Sequence, residues 1–377
     1  MMITEALQIY SRLQDKILQL PMNELLLSDD DQTHLRSQRM DKMILDETDH
    51  LPAHLRDRVR AEFHALGPLE SLLSDEGITE ILVNGPKSIW FEKQGQLFQH
   101  LDSFFSELSF RNAVDRLCQR AHTHVTVAHP SVDAQWGDFR LSLVSNEITK
   151  NSMHFSLRRH PKNPWNFKKL LEVGWCRPED FCLFEKIMKE RKNFLIVGTT
   201  GSGKTSILNS CLSLLPENER VVAIEDTPEI SLANKASMKL LTRQDPQGLL
   251  PEIDQAQLVK RSLRLRPDRI VMGEVRGVEA KDFLMALATG HSGSFGTLHA
   301  SSANQALIRL EMLIQMGAPQ WNLLAIRRLI QLSLDYIVVT GREISGQRLL
   351  NGVYKISSLE DQGFLTEQVS LPREQSL

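Results

Sequence analysis

Residues 194–205 constrain this chain more than any other stretch. Phe194-Leu195-Ile196-Val197 is an apolar run, Gly198-Thr199-Thr200-Gly201-Ser202-Gly203-Lys204-Thr205 follows it directly, and Ser206 to Leu215 then repeats apolar residues at helical spacing. The middle piece fits G-x-x-x-x-G-K-[ST] in the strand, loop, helix context that the motif requires. Its glycines let backbone N–H groups curl around phosphate oxygens at a helix amino terminus, where the amide dipoles favour anions. Lys204 can reach the β- and γ-phosphates and Thr205 can hold Mg2+. Gly198 to Ser206 are therefore the candidate nucleotide-binding residues: Gly198, Thr199, Thr200, Gly201, Ser202, Gly203, Lys204, Thr205 and Ser206.

Such a loop commits its surroundings to buried parallel strands with crossover helices. The neighbouring sequence agrees: apolar runs at Val221 to Ile224, Arg269 to Met272 and Ser294 to Leu298 alternate with helical patterns at Ala256 to Leu265 and Glu279 to Ala288. With 377 residues the chain has room for two or three domains. Residues 1–62 read as a helical segment, with Ile3, Leu7, Tyr10, Leu13, Ile17 and Leu20 on one stripe and Asp29 to Asp31 as an interhelix loop. That stripe must be buried somewhere, against the chain itself or a partner. Residues 63–159 change to period two and read as a small α+β domain, with strands or hairpins at Ile78 to Gly85, Ser88 to Phe98, Phe139 to Val144 and Met153 to Arg158, and a helix near Phe110 to Arg120. His160-Pro161-Lys162-Asn163-Pro164-Trp165-Asn166 opens a linker over residues 160–170. Residues 171–377 form the α/β domain, closed by a terminal hairpin between Gln347 and Leu371.

Charge separates the function classes. The chain carries 44 Lys+Arg against 47 Asp+Glu, which argues against a protein that grips nucleic acid by bulk charge. Lys260, Arg261, Arg264, Arg266 and Arg269 form a basic run read first as a solvated helix face, then as a subunit interface. Cys118, Cys176, Cys182 and Cys211 have no metal or redox spacing and read as reduced, buried small hydrophobes of a cytoplasmic protein. His122, His124 and His129 lack a nearby fourth ligand and read as loop or strand-surface histidines. No apolar stretch approaches the roughly 18–20 residues of a membrane span, so any membrane role is expected through a partner.

Hydrolysis needs acids on neighbouring strands. Val221 to Glu229 delivers Glu225 and Asp226 at a strand end, and Arg269 to Gly277 delivers Glu274 at another. Gly290-His291-Ser292-Gly293-Ser294-Phe295-Gly296-Thr297-Leu298-His299 places histidines at both ends of a further strand, where either could report a phosphate.

With Arg266-Pro267-Asp268-Arg269 leading into Gly-Glu-Val-Arg-Gly, these segments resemble, in order, the Walker A, Asp, Walker B and His boxes of the type II/type IV secretion ATPase superfamily. Upstream, Gly67-Pro68-Leu69-Glu70, Thr79 to Pro86, Val132-Asp133-Ala134 and Leu157-Arg158-Arg159 resemble the amino-terminal domain of its CpaF/TadA branch, which powers tight-adherence (Flp) pilus assembly. The resemblance covers about residues 65 to 340. It implies a RecA-like P-loop NTPase domain preceded by a PAS-like α+β domain, a homohexameric ring, ATP and Mg2+ as cofactors, and an inner-membrane pilus or secretion platform as partner, with the protein cytoplasmic and peripheral to the membrane. Glu225 would polarise the attacking water, Thr205 and, through water, Glu274 would hold Mg2+, and His291 and His299 would sense the nucleotide; either carboxylate could be the base on charge and placement alone. Arg140, Arg158 and Arg159 would reach the phosphates from the smaller domain. The chain departs from the branch at Trp136-Gly137-Asp138-Phe139, which stands in place of Pro-Asp-Gly-Ser, and at Thr199, which replaces a glycine; the tetracysteine zinc insertion of many type II enzymes is absent. Alternatives are a contact-dependent type IV secretion ATPase, a nucleotide-binding regulatory subunit with negligible hydrolysis, and a nucleic-acid motor on the same core.

Overall fold

This computed structural model describes residues 2–18, 40–160, 165–232, 234–243, 250–343, 346–360 and 363–370. The chain divides into two compact units, residues 1–161 and 162–377.

The first unit opens with α1 (Met2–Leu18), α2 (40–48) and α3 (Ala53–His64). Ala6, Ile9 and Leu13 of α1 pack against Ile44, Leu51, Leu55 and Val59, so the first helix buries an apolar face inside the chain. Of the expected stripe, Tyr10 and Leu13 are buried, whereas Leu7 is exposed. The expected Asp29 to Asp31 loop lies outside the described residues. Residue 62 is not a boundary between compact units. Glu62, 2% exposed, accepts hydrogen bonds from Arg58 (2.7 Å) and from the backbone N–H of Phe105 (3.1 Å), and the Arg58 guanidinium also pairs with Asp102 and covers the Phe105 ring at 4.3 Å. These long-range bonds tie α3 to the segment after the first hairpin, which local periodicity could not reveal.

After a 3-10 turn (Gly67–Leu69) come α4 (Glu70–Ser74), β1 (Ile78–Asn84), β2 (Ile89–Lys93), β3 (Gln96–Gln99), α5 (Glu107–Arg120), β4 (Ser131–Trp136), β5 (Phe139–Val144) and β6 (His154–Arg159). Helix α5 starts earlier than its apolar pattern because Ser106 caps it, accepting from Ser109 N at 3.0 Å. The strands form an antiparallel sheet of order β3-β2-β1-β6-β5-β4. One face, carrying Ile81, Val83, Leu141, Leu143, Phe155 and Leu157, packs on Phe104, Phe110, Val114 and Leu117. This is the α+β domain expected from the sequence.

The second unit contains α6 (Phe167–Glu172), α7 (Pro178–Lys189), β7 (Phe194–Gly198), α8 (Lys204–Leu212), β8 (Val221–Glu225), β9 (Met238–Leu241), α9 (Gln255–Ser262), β10 (Arg269–Val275), α10 (Glu279–Ala288), β11 (Phe295–His299), α11 (Ala303–Gly317), α12 (Leu323–Ser333), β12 (Tyr336–Arg342), β13 (Arg348–Glu360) and β14 (Gly363–Gln368). The linker expected over residues 160–170 ends sooner: residues 161–164 lie outside the described set, and Asn166 caps α6, whose Phe167 and Leu170 are buried. The sheet runs β14-β13-β12-β7-β11-β10-β8-β9, with every neighbour from β12 to β9 parallel and the last two strands antiparallel. Strand β7 shows why it reads as a continuous apolar run. Leu195 and Val197 join the core with α9 to α12 on one face, while Phe194 and Ile196 join α6, α7 and α8 on the other. The fold is α/β with a RecA-like core.

Two sequence expectations are corrected by packing. Cys182 is exposed, whereas Cys118, Cys176 and Cys211 are buried. Arg269 does not belong to a solvated face: it is 1% exposed, its guanidinium bonded to Glu219, the Gly293 carbonyl (2.9 Å) and the Met188 carbonyl (2.9 Å). No helix among the described residues is long and apolar enough to cross a membrane, and none of their His, Cys, Asp and Glu side chains gather in threes around a metal position.

Candidate functional site

The phosphate loop lies at the carboxyl ends of the parallel strands, where ligands bind in open α/β sheets. Gly201 (φ +76°) and Gly203 (φ +90°) supply the left-handed turns that bend the backbone from β7 into α8. Two contacts from outside hold this loop in shape, one of them braced by a tryptophan. Trp175 Nε1 donates to Thr340 Oγ1 (3.1 Å), the Thr340 hydroxyl reaches the Ser202 carbonyl (3.1 Å), and Arg348 Nε donates to the Gly201 carbonyl (2.9 Å). Beside the loop is an open pocket of about 220 Å³ lined by Trp165, Leu170, Trp175, Ile207 and the hairpin residues Gln347 and Arg348.

Lys204 is buried, its ammonium on the carbonyls of Gly198 and Thr199 (3.1 Å each) and 3.3 Å from His299 Nδ1. His299 ends β11, directly beside Gly198 in register. Its Nε2 lies 2.9 Å from Glu274 Oε1, so the ring donates there and its Nδ1 accepts from Lys204. Burial, against the pull of Glu274, lowers the imidazole pKa and keeps the ring neutral. Arg276 donates to Glu274 Oε2 at 2.7 Å and lies 3.6 Å from Asp226, which also accepts from Thr242 (3.0 Å) and Gln255 (2.9 Å). Lys204, His299, Glu274, Arg276 and Asp226 thus form one chain of side chains across the strand ends.

Glu225 sits one strand further out and is built differently. It is 3% exposed; Oε2 accepts from the backbone N–H groups of Glu229 and Ile230 (2.9 Å each), Oε1 has no hydrogen-bond partner, and Lys239 Nζ is 3.8 Å away. Burial outweighs the two N–H donors and the lysine and pushes its pKa up to about 7. Gly273 on β10 permits this placement, since a Cβ there would stand 2.9 Å from the Glu225 Cβ.

The remaining sequence candidates separate. His291 precedes β11 at the opposite end of the strand from His299, its Nδ1 3.1 Å from the Ala286 carbonyl. A five-residue strand spans roughly 15 Å, so the two histidines cannot serve one phosphate in the same subunit. In the first unit, Arg159 lies over the Phe139 ring (4.4 Å) and donates to the carbonyls of Ile78 (3.0 Å) and Leu73 (2.7 Å), so it braces its own domain. Arg140 and Arg158 stand directly opposite each other on the sheet face away from the core, flanked by Asp133 (3.7 Å from Arg140) and by Glu80, opposite Arg158. Facing like charges disfavour the sheet unless an anion lies between or beside them. The Gly137-Asp138 turn still closes β4 onto β5 with Trp136 opposite Phe139.

Arg276, Thr340 and Arg348 were not singled out from sequence. For Arg276 a signal existed: two residues beyond Glu274 in extended chain, it falls on the same side.

The profile of the type II/IV secretion system protein family matches residues 62–345. A putative conjugal transfer protein of Mycobacterium tuberculosis is 33% identical over 299 residues, covering 78% of this chain and 84% of that protein. The type IV secretion system protein PtlH of Bordetella pertussis is 29% identical over 316 residues, 74% of this chain and 90% of that one. Among solved structures, the ATPase DotB of Legionella pneumophila superposes with a TM-score of 0.55 at 19% identity over 78% of each chain, a likeness of fold.

Proposed function

The chain belongs to the type II/IV secretion system protein family, and from that membership we propose that it is a Mg-dependent ATP hydrolase that drives a pilus or secretion platform at the inner membrane from the cytoplasm. The observation that carries this reading is the pairing of two acids in different states. Glu274 is held in the Lys204–His299 chain beside the phosphate loop, while Glu225 is buried with a free oxygen and a near-neutral pKa. That division suits Glu274 to the metal and Glu225 to the attacking water, since a general base works best with a pKa near the operating pH. Thr205 and Glu274 offer hard oxygen donors, and so few protein ligands suit Mg2+, which keeps waters and substrate phosphates. Bound Mg2+ would neutralise charge on the β- and γ-oxygens. Lys204 then binds the phosphates, neutral His299 orients Glu274, and the aromatic pocket at Trp165 and Trp175 takes the base.

Arg140 and Arg158 are the proposed phosphate contacts from the smaller domain, and a homohexameric ring is the proposed assembly. The CpaF/TadA branch of tight-adherence pilus ATPases is our choice within the family. The contact-dependent type IV secretion reading stands second, favoured by the likeness to PtlH.

Phosphate release from Mg-ATP, followed over a range of protein concentrations, tests this. Activity is expected to rise steeply with concentration. Lys204→Ala is expected to lose nucleotide binding, and Arg140→Ala to keep binding while losing turnover by about 100-fold. A wild-type chain that binds ATP and releases no phosphate at any concentration would instead be a nucleotide-operated regulatory subunit.

A further inference from the structure

Two acids at the ends of neighbouring strands share one cation. Arg276, just past β10, donates to Glu274 Oε2 at 2.7 Å and points its other terminal nitrogen at Asp226 Oδ2, 3.6 Å away. Its side chain is 50% exposed, so it has room to turn. Asp226 is fixed as a second station, because Thr242 and Gln255 both bond its Oδ1 and leave Oδ2 facing the guanidinium. Glu274 is fixed too, its Oε1 held by His299.

We propose that Arg276 is the resident counter-ion of these acids, a positioning residue that neutralises Glu274 before metal-bound nucleotide arrives and then passes to Asp226. This rests on the nucleotide-site reading above. While Arg276 stays on Glu274, a divalent cation near that carboxylate meets a positive charge and a carboxylate already half used. The short move to Asp226 removes both obstacles without leaving the guanidinium unpaired. The same move would link the strand ends of β10 and β8, and so Glu274 to the strand that carries Glu225.

A fluorescent ATP analogue bound to the full chain and titrated with Mg2+ reads this directly, without turnover. Arg276→Gln keeps the length of the side chain and drops its charge; the half-saturating Mg2+ concentration is expected to fall about tenfold. Asp226→Asn removes the second station and is expected to raise it about threefold or more. Arg276→Lys should stay near wild type. Loss of structure would not push two variants in opposite directions, so the pair separates positioning from packing. Midpoints that stay put, or a midpoint that rises in Arg276→Gln as it would for a direct phosphate contact, overturn the role given to Arg276 alone. A wild-type chain that binds no analogue at any Mg2+ concentration overturns the nucleotide site, and this inference with it.

Discussion

Glu225→Gln is expected to slow ATP turnover by about 100- to 10,000-fold and, above neutral pH, to make the protein harder to melt. Both effects come from one buried carboxylate. Its pKa stands at about 7 in the folded chain against 4.5 for a free glutamate, so the folded state holds the proton more tightly. Between pH 4.5 and 7 the unfolded chain has released that proton and the folded chain has not, and stability therefore falls as pH rises through this window. Above it the cost is constant, on the order of 3 kcal/mol. Glutamine removes the charge and keeps an oxygen for the Glu229 and Ile230 N–H groups, but its amide NH2 takes the place of Oε1, which has no hydrogen-bond partner and has only the Lys239 ammonium 3.8 Å away. That orphan donor offsets about 1–2 kcal/mol of the gain. The net rise in melting temperature at pH 8.5 is then about 2–8 °C, vanishing or reversing near pH 5. Wild-type turnover should climb through pH 7 as Glu225 ionises and level off above it. A melting difference that ignores pH, or a turnover loss below tenfold, would remove Glu225 from the base position.

Arg269→Ala carries the largest expected loss of stability. The guanidinium is sealed between β10, Glu219 and the turn at Gly293, whose Cα faces it so closely that an added Cβ would stand 2.3 Å from the nearest nitrogen. Truncation strands the carbonyls of Gly293 and Met188 and leaves Glu219 with only the more distant Arg191 at 3.4 Å. Breaking a buried pair from one side costs about 3–5 kcal/mol, which lowers the melting temperature of a domain this size by roughly 6–20 °C. Arg269→Met, which keeps much of the volume, should recover part of this. Thermal denaturation of the full chain measures it, and a shift under about 2 °C would mean that the side chain is not the sealed group described.

The core strands were legible because parallel strands buried on both faces must be apolar throughout, as Phe194 to Val197 and Val221 to Ile224 are. Strand β9 was not. It has four residues at the sheet edge, alternates half-buried with exposed positions, and includes Lys239, so no run stands out. Lys204, Glu274 and His299 could be placed from sequence, since Lys204 opens the helix after the phosphate loop and the other two sit at strand ends beside it. His291 could not, because reading a glycine-rich box as one cluster ignores the length of the strand inside it. Arg269 misled for a similar reason: it follows a basic helix in sequence but opens a buried strand, and its partner Glu219 lies fifty residues earlier. Arg159 looked like Arg158 until alternation placed it on the opposite face, under Phe139.

Strand β7 lies between β11 and β12, its Phe194 opposite Phe295 on one side and Tyr336 on the other. Both neighbours leave the ribosome long after it does. At about 5–20 residues per second, the strand that carries the phosphate loop waits roughly 7–29 s between its own emergence and that of β12's last residue, Arg342, 144 positions after Gly198. Throughout that interval Phe-Leu-Ile-Val lacks its β12 neighbour, and until β11 has emerged it lacks both, so it is an edge with unpaired backbone, the kind of segment that recruits other chains. Any nonsense codon before β12 leaves the loop's supporting strand open, which makes truncated products of this gene candidates for chaperone retention or aggregation rather than for partial activity.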